Sequence, residues 1–417
     1  MLPASNLAPT FRFTMRGNRW LTRMTVFRTA ITDTLIQRVL NELEDGTWHF
    51  RRGHVVPTTR RAIFTYLAHY IYIQGNATKP DTKFHTHRPM RTAIEASRKL
   101  LGASVQTMDP PAADYIEIFI GRFHLHDDYY EDLSLNMQSI VASIGPHCAA
   151  DEKLFEFVGN TPYKISKKKT LGMWMYELVA VLSNGAPYML HIKMWRVLTS
   201  RGQSQPVVDL VNTWLEVLKR CGSSTDVTIA VADSYYFSAA SILAIFNEEV
   251  SKKVRFLIAT TEGKYPYCEL LKTRVHAKGK WKALVNEGTE MCLVHYWDPE
   301  MNRKYVLSNA FNVVRTTQKK EEVPVSDEYS LMFGRADNFN SNLTKKTWPF
   351  KHGGHGRCGE LGQEHDFEFS CVLQNTFNAY EDLMNVRRLS ISFSDHCTQL
   401  ALELYAHAAT LGTDAVW

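Results

Sequence analysis

VTIAVAD, at residues 227–233, is the stretch that decides the fold. Its first six residues carry no charge and are small, apolar or β-branched, which predicts a strand buried on both faces. Strands of this kind are typical of sheets that are covered by helices. The run ends at Asp233, and a carboxylate directly after such a strand lies at the sheet edge where open α/β folds hold their sites.

The segments around this strand predict the rest of the sheet. LGMWMYELVAVL (171–182) and YMLHIKMW (188–195) are apolar and are separated by the turn residues SNGAP, so they predict a hairpin. Helical apolar spacing follows at 206–222 and 238–250, and VRFLIAT (254–260) predicts another buried strand. The order strand, strand, helix, strand, helix, strand predicts an α/β fold, with a mixed sheet flanked by helices.

The remaining segments predict additional parts around this core. Apolar residues at three- and four-residue spacing in the first third predict a helical N-terminal domain. A Lys-rich stretch with two strand-like pieces predicts an inserted subdomain, and a glycine-rich stretch at 351–365 predicts a loop. The predicted organisation is a helical domain at 1–145, the first part of the core at 146–260, an insertion at 261–325, a closing helix at 326–345, and a loop with C-terminal helices at 346–417.

The N-terminal third is basic. Residues 1–106 hold sixteen Lys and Arg against six Asp and Glu, a balance of +10, whereas the whole chain carries +5. Five arginines recur near helical spacing with Trp20 and Phe27 between them, namely Arg12, Arg16, Arg19, Arg23 and Arg28. They predict salt-sensitive, sequence-independent contacts with the phosphates of double-stranded DNA. The alternative is a solvated helix that buries Trp20 and Phe27.

Several classes of protein and site are disfavoured by the sequence. The seven cysteines are odd in number and scattered, without a C-x-x-C pair, which argues against a disulfide framework and a thiolate zinc module. The absence of a long apolar run or a signal-like start predicts a soluble, intracellular protein with no membrane partner. No Walker loop, dinucleotide fingerprint or G-x-S-x-G elbow occurs. The His and Cys residues at 352–365 match no standard zinc spacing.

Carboxylates at strand ends are the candidate metal ligands. Asp233 is the first candidate, because two-metal phosphoryl transfer needs oxygen ligands from separate rigid elements, whereas capping of the next turn is its alternative role. Glu177 lies inside a predicted strand, on a solvated face or paired with a cation or metal. Asp337 lies near Arg335 in a predicted helix, where a surface ion pair explains it equally well. The adjacent acids at 151–152 are interpreted as solvated turn residues.

Several segments, in order along the chain, resemble the piggyBac family of transposases and the host proteins derived from them. The family's pattern of an Asp-Glu pair followed by Pro and basic residues is matched by AADEKLFEFVGNTPYKISKKK. Its first catalytic strand end, Cys-Asp-Ser-Gly, is resembled by VLSNGAPYML. Its second, Asp-Asn-Phe-Phe-Thr-Ser, is resembled by VADSYYFSAASI. FGRADNFN resembles the third motif, Gly-Gly-Val-Asp-Arg-Ala-Asp-Gln, and NAYEDL a later helix. RRAIFTYLAHYIYIQG and IEIFIGRFHLHDD resemble two helices of the dimerisation and DNA-binding region, so that the likeness spans about residues 30 to 385.

The resemblance implies an RNase H-like core in which three aspartates bind Mg²⁺ and DNA is cut and joined. Asp233 matches the second of these aspartates. Ser183 stands at the first position and Gly334 at the third, so two anionic ligands are lost. Glu177 and Asp337 are the candidates to substitute for them, although both are displaced along the chain from the family positions.

The predicted function is therefore that of a piggyBac transposable element-derived protein, a domesticated host factor or relic that is catalytically inactive and needs no cofactor. It is expected in the nucleus, with low-specificity DNA association or dimerisation retained. One alternative is an active DDE-type DNA transposase that uses Mg²⁺ with relocated ligands. Another is a protein-interaction scaffold without DNA binding. The family's cysteine-rich zinc module has no counterpart, because only Cys397 lies beyond residue 371.

Overall fold

The structure, a computed structural model, divides into two compact units. Unit 1 contains Met1–Arg12, Gln138–Lys153 and Met175–Asn340, and unit 2 contains Phe13–Met137, Leu154–Trp174 and Ser341–Trp417. The structure describes residues 10–11, 22–45, 59–76, 129–143, 147–156, 165–167, 170–182, 185–194, 212, 215–217, 220–221, 228–233, 254–262, 265, 267–272, 281–286, 291–297, 303–309, 315–316, 321–322, 324–345, 359–384 and 391–411.

Among the described residues, helices form most of the two ends of the chain and strands form most of its middle. The strands are β1 (Thr10–Phe11), β2 (Val141–Ser143), β3 (His147–Glu156), β4 (Ile165–Lys167), β5 (Thr170–Val181), β6 (Pro187–Met194), β7 (Thr228–Ala232), β8 (Val254–Thr260), β9 (Trp281–Asn286), β10 (Met291–Trp297), β11 (Arg303–Ser308), β12 (Arg315–Thr316) and β13 (Glu321–Glu322). The helices are α1 (Arg23–Ala30), α2 (Asp33–Asp45), α3 (Arg60–Asn76), α4 (Tyr129–Ser139), α5 (Cys268–Lys272), α6 (Pro324–Lys345), α7 (Gly359–Met384) and α8 (Phe393–Thr410). None of the described helices is long and apolar enough to cross a membrane.

The main sheet is mixed and has nine strands, in the order β4-β5-β3-β7-β8-β11-β10-β9, with β6 paired to β5. β7 is parallel to β3 and to β8, and β5 and β6 form an antiparallel hairpin. These pairings confirm the predicted hairpin and the α/β class. Strands β9, β10 and β11, which come from the predicted insertion at 261–325, extend the same sheet: β11 pairs with β8, β10 with β11 and β9 with β10, all antiparallel.

Helix α6 covers one face of this sheet. Its buried side chains Tyr329, Met332 and Ala336 recur at helical spacing, as an amphipathic helix requires. They form one apolar cluster with side chains from five strands, namely Ala149, Val231, Leu257, Cys292, Val294 and Val306. This packing fixes α6 across the central strands.

Unit 2 is built from helices of both ends of the chain. Helices α3 and α8 pack along each other, and their backbones come so close that a side chain at Gly75 would overlap Cys397. Helix α1 packs against α7 through Phe27 and Phe369, whose ring centroids are 6.3 Å apart. The C-terminal helices, predicted as a separate part at 346–417, therefore share a unit with the N-terminal helices.

One predicted helical segment and one predicted loop differ in detail from the structure. The apolar series that begins at Ile31 is interrupted, because Ile31 is the C-cap of α1 and Thr32 caps α2 by accepting a hydrogen bond from the backbone N–H of Leu35. The predicted loop at 351–365 is wrong in its second half, since α7 starts at Gly359. The predicted helices at 114–128 and 238–250 lie outside the described residues.

Candidate functional site

Asp233 lies where the sequence predicts, immediately after β7 at the edge of the sheet. Val231, two residues earlier, packs under helix α6. Because side chains alternate along a strand, the chain presents Asp233 on the same face as Val231. Asp233 is half-buried.

Helix α6 brings a second carboxylate to this edge. Asp337 is solvent-accessible, but partial loss of hydration raises its pKa, and the negative charge of Asp233 raises that pKa further. The two carboxyl groups are thus electrostatic neighbours, although 104 residues separate them in the sequence. The structure therefore brings Asp233, which matches the second aspartate of the resemblance, near Asp337, the candidate substitute for the third.

The β5–β6 turn lies at the same helix. The backbone N–H of Gly185 donates to the carbonyl of Leu182 at 2.9 Å, and Gly185 has a φ of +80°, a conformation that favours glycine. A Cβ placed on Gly185 would lie 3.2 Å from Nη2 of Arg335, so the guanidinium of Arg335 covers the turn. The predicted site position Ser183 belongs to this turn and lies outside the described residues.

Asp151 is a residue of this edge that the sequence interpretation missed. Ala149 pairs with Val231 and Ala150 with Ala232 in the parallel register, so the next position places Asp151 beside Asp233. The interpretation of Asp151 as a solvated turn residue is wrong, because it lies within β3 and is 7% exposed. The signal was present: Cys-Ala-Ala-Asp at 148–151 repeats the pattern of Ala-Val-Ala-Asp at 230–233, a small apolar run that ends in a carboxylate.

Glu177, the other predicted substitute, does not lie at the edge. It is fully buried within β5 and pairs in register with Ile192. Four residues separate it from Val181, the last residue of the strand, which corresponds to about 13 Å of extended chain. The structure therefore places Glu177 in the interior of the sheet, away from Asp233.

The arrangement does not fit a pair of divalent metal ions. Within the described part of the chain, no three His, Cys, Asp or Glu side chains come together in a way that could hold a metal ion. At the position that the resemblance matches to the third aspartate, Gly334 has no side chain to act as a ligand, and a Cβ there would meet no atom within 4 Å. Neighbouring carboxylates that do not converge on one point bind Mg²⁺ weakly.

The predicted DNA-binding arginines that can be placed are engaged within unit 2. The Arg23 guanidinium lies 3.4 Å from Oε1 of Glu403 and 4.7 Å from the ring centroid of Tyr380. Arg28 pairs with Asp33. Phe27 is buried, as the solvated-helix alternative requires. The other predicted residues of this series, Arg12, Arg16, Arg19 and Trp20, lie outside the described residues.

The chain was compared with known sequences and solved structures. No protein-family model and no curated protein sequence matches it. Among solved structures it is similar to the piggyBac transposase in a cryo-EM synaptic complex with hairpin DNA, with a TM-score of 0.67 and 14% sequence identity. The match covers 97% of this chain and 83% of the transposase chain. The protein therefore has a fold like that of piggyBac transposase.

Proposed function

We propose that the chain is a piggyBac transposable element-derived protein that associates with DNA and has lost strand cleavage and transfer. The fold likeness over 97% of the chain supports a transposase origin. The mixed sheet, with an antiparallel hairpin β5–β6, parallel strands β3, β7 and β8, and the covering helix α6, supports an RNase H-like core.

One observation carries the loss of activity. The fold brings the β5–β6 turn, the end of β7 and helix α6 to one edge of the sheet, where Asp233 and Asp337 are neighbours. In the sequence, Ser183 and Gly334 stand where the resemblance requires aspartates. Preorganised charge of this kind contributes several kcal/mol to transition-state stabilisation, so its loss lowers the rate by orders of magnitude.

An active enzyme with relocated ligands is the second candidate, and a specific observation favours it. Asp151 and Asp337 both lie at the edge of the sheet near Asp233, so this edge holds more negative charge than the family positions alone provide. In that case the protein nicks or joins DNA in the presence of Mg²⁺ or Mn²⁺. The proposed function requires that it does not.

DNA association is tested separately from catalysis. The transposase of similar fold was solved with hairpin DNA, and the first 106 residues of this chain carry a balance of +10. We expect duplex DNA to bind with an affinity that falls steeply as salt rises. If duplex DNA does not bind even at low salt, the remaining hypothesis is a protein-interaction scaffold without DNA binding. Nuclear localisation and homodimerisation are parts of the same proposal, to be tested with a fluorescent fusion and by sedimentation.

The experiment for catalysis incubates the purified protein with duplex and hairpin DNA and Mg²⁺ or Mn²⁺. The proposal predicts no nicking, hairpin formation or joining beyond the level given by Asp233→Ala. Activity that Asp233→Ala abolishes would contradict the proposal and establish the second candidate. Activity that survives Asp233→Ala would come from a contaminating nuclease, because Asp233 is common to both candidates.

A further inference from the structure

Two half-buried guanidinium groups converge on one exposed carboxylate in unit 2. Nη2 of Arg28, in the last turn of α1, lies 2.5 Å from Oδ1 of Asp33, and Nη2 of Arg60 contacts the same oxygen atom. The exposed fraction of the side chain is 21% for Arg28 and 13% for Arg60, whereas it is 59% for Asp33. The cations are therefore fixed in the protein surface and their common anion projects into solvent.

Aromatic packing holds the two cations in place. The ring of Phe64 lies under both guanidinium groups, with its centroid 5.2 Å from Cζ of Arg28 and 5.7 Å from Cζ of Arg60. His407 of α8 packs edge-on against the same ring at 4.8 Å. Its Nε2 atom is buried and makes no hydrogen bond within the described residues. Three basic side chains thus surround one aromatic ring.

The basic groups of this cluster lie within electrostatic range of one another. Burial and the charges of Arg28 and Arg60 lower the pKa of His407, and burial and the charge of Arg28 lower the pKa of Arg60. Arg60 is also the first residue of α3, where the helix dipole favours an anion. Two guanidinium forks beside a helix N-terminus match the oxygen atoms of a phosphate group.

We propose that Arg28 and Arg60, with Asp33 displaced outward, form a binding site for a phosphate group. The phosphate accepts hydrogen bonds from both guanidinium groups in place of the Asp33 carboxylate, which competes for them in the free protein. The phosphate belongs to a DNA backbone or to a small soluble phosphate compound. The site shares Arg28 with the predicted DNA-binding series and does not depend on the proposed loss of catalysis.

The decisive variant is Asp33→Asn, which removes the competing charge and keeps the size of the side chain. The full-length protein is titrated with inorganic phosphate by calorimetry and with a short duplex by fluorescence anisotropy at fixed salt. We expect Asp33→Asn to bind inorganic phosphate about tenfold more tightly than the wild type, and Arg60→Lys or Arg28→Lys to weaken binding by about tenfold. A purely structural ion-pair cluster would show no gain in Asp33→Asn.

A matched control separates the site from a general charge effect. Asp132→Asn removes a carboxylate that pairs with Arg38 elsewhere in unit 2, and it should leave phosphate affinity unchanged. Equal gains in both Asp variants, or no phosphate binding by wild type and Asp33→Asn, would overturn the site. Duplex binding that gains in Asp33→Asn identifies the DNA backbone as a source of the phosphate. Phosphate binding without duplex binding would support the site and contradict DNA association. Duplex binding that neither Asp33→Asn nor Arg60→Lys changes would support DNA association and contradict the site.

Discussion

At the scale of single residues, the electrostatic interaction between Asp233 and Asp337 gives a testable prediction. Replacing Asp233 by Asn removes one of the two causes that raise the pKa of Asp337, so that pKa should fall and remain above its ordinary value because of desolvation. A raised folded-state pKa means that the stability from this group is lost as pH rises through it. Asp233→Asn should therefore raise stability at neutral pH.

The measurement is a carbon-13 NMR titration of the Asp337 carboxyl group in both proteins, together with thermal unfolding at neutral and acid pH. The control is Asp132→Asn, because Asp132 pairs with Arg38 in the other unit. An unchanged Asp337 titration in Asp233→Asn would show that the two carboxylates are not neighbours.

Gly334 gives a prediction about stability at the same site. It lies within helix α6, and a Cβ there would contact nothing within 4 Å. Gly334→Ala should increase the free energy of unfolding by about 0.5–1 kcal/mol, because alanine loses less backbone entropy in a helix than glycine does. The gain is measured by urea unfolding. A loss of stability would mean that glycine is required at this position.

The site was only partly predictable from its residues. Asp233 was found because the apolar run before it is long enough to predict a strand and its end. Asp151 was missed because its own strand has only a short apolar start, and because its place beside Asp233 is a property of the parallel register. The covering of Gly185 by Arg335 joins two segments 150 residues apart, which no local pattern encodes.

At the scale of elements, the α3–α8 crossing predicts the opposite response to the same substitution. Gly75→Ala would place a Cβ onto Cys397, so one helix must shift, at a cost of about 1–3 kcal/mol. Urea unfolding of Gly75→Ala and Gly334→Ala, side by side, should show a lower midpoint for the first and a higher one for the second. Equal effects would mean that the helices are not in close contact at Gly75.

A second prediction at this scale concerns the attachment of α1 to α8. Oε2 of Glu403 accepts a hydrogen bond from the backbone N–H of Met24 at 2.8 Å, and Oε1 pairs with Arg23. Glu403→Ala should cost about 1.5–3 kcal/mol, because both bonds involve a charged, partly buried acceptor. Arg38→Ala, which breaks a more exposed pair with Asp132, should cost less than about 1 kcal/mol. Urea unfolding measures the loss in free energy of unfolding for both variants. Similar losses for Glu403→Ala and Arg38→Ala would mean that Glu403 forms no more than a surface ion pair.

Elements with a strong period were predictable, and those that depend on distant packing were not. The predicted strands β5 to β8 and helices α3 and α8 agree with the structure because their apolar residues follow the period of the element. Helix α7 begins at Gly359, twelve residues before the apolar stretch that starts at Cys371. Its first turn contains Gly359 and Gly362, and glycine has low helix propensity. Its packing against α1 outweighs that propensity.

At the scale of the whole molecule, the chain ends combine in a way that sequence order does not reveal. Unit 2 draws its helices from the first 137 residues and from the last 77, whereas the prediction separated these segments. The strands of the predicted insertion complete the sheet of unit 1, since β11 pairs with β8. Both features depend on contacts between distant segments, which periodicity and composition do not specify.

The central claim is that the carboxylates at this sheet edge, Asp151, Asp233 and Asp337, do not form, within the described residues, a set of ligands that would retain divalent ions. A titration of Mn²⁺ followed by electron paramagnetic resonance tests it directly, with wild type compared with Ser183→Asp/Gly334→Asp. The account predicts that the wild type leaves Mn²⁺ free and that the double variant gains binding that depends on Asp233. Tight Mn²⁺ binding by the wild type, abolished by Asp233→Asn, would contradict it.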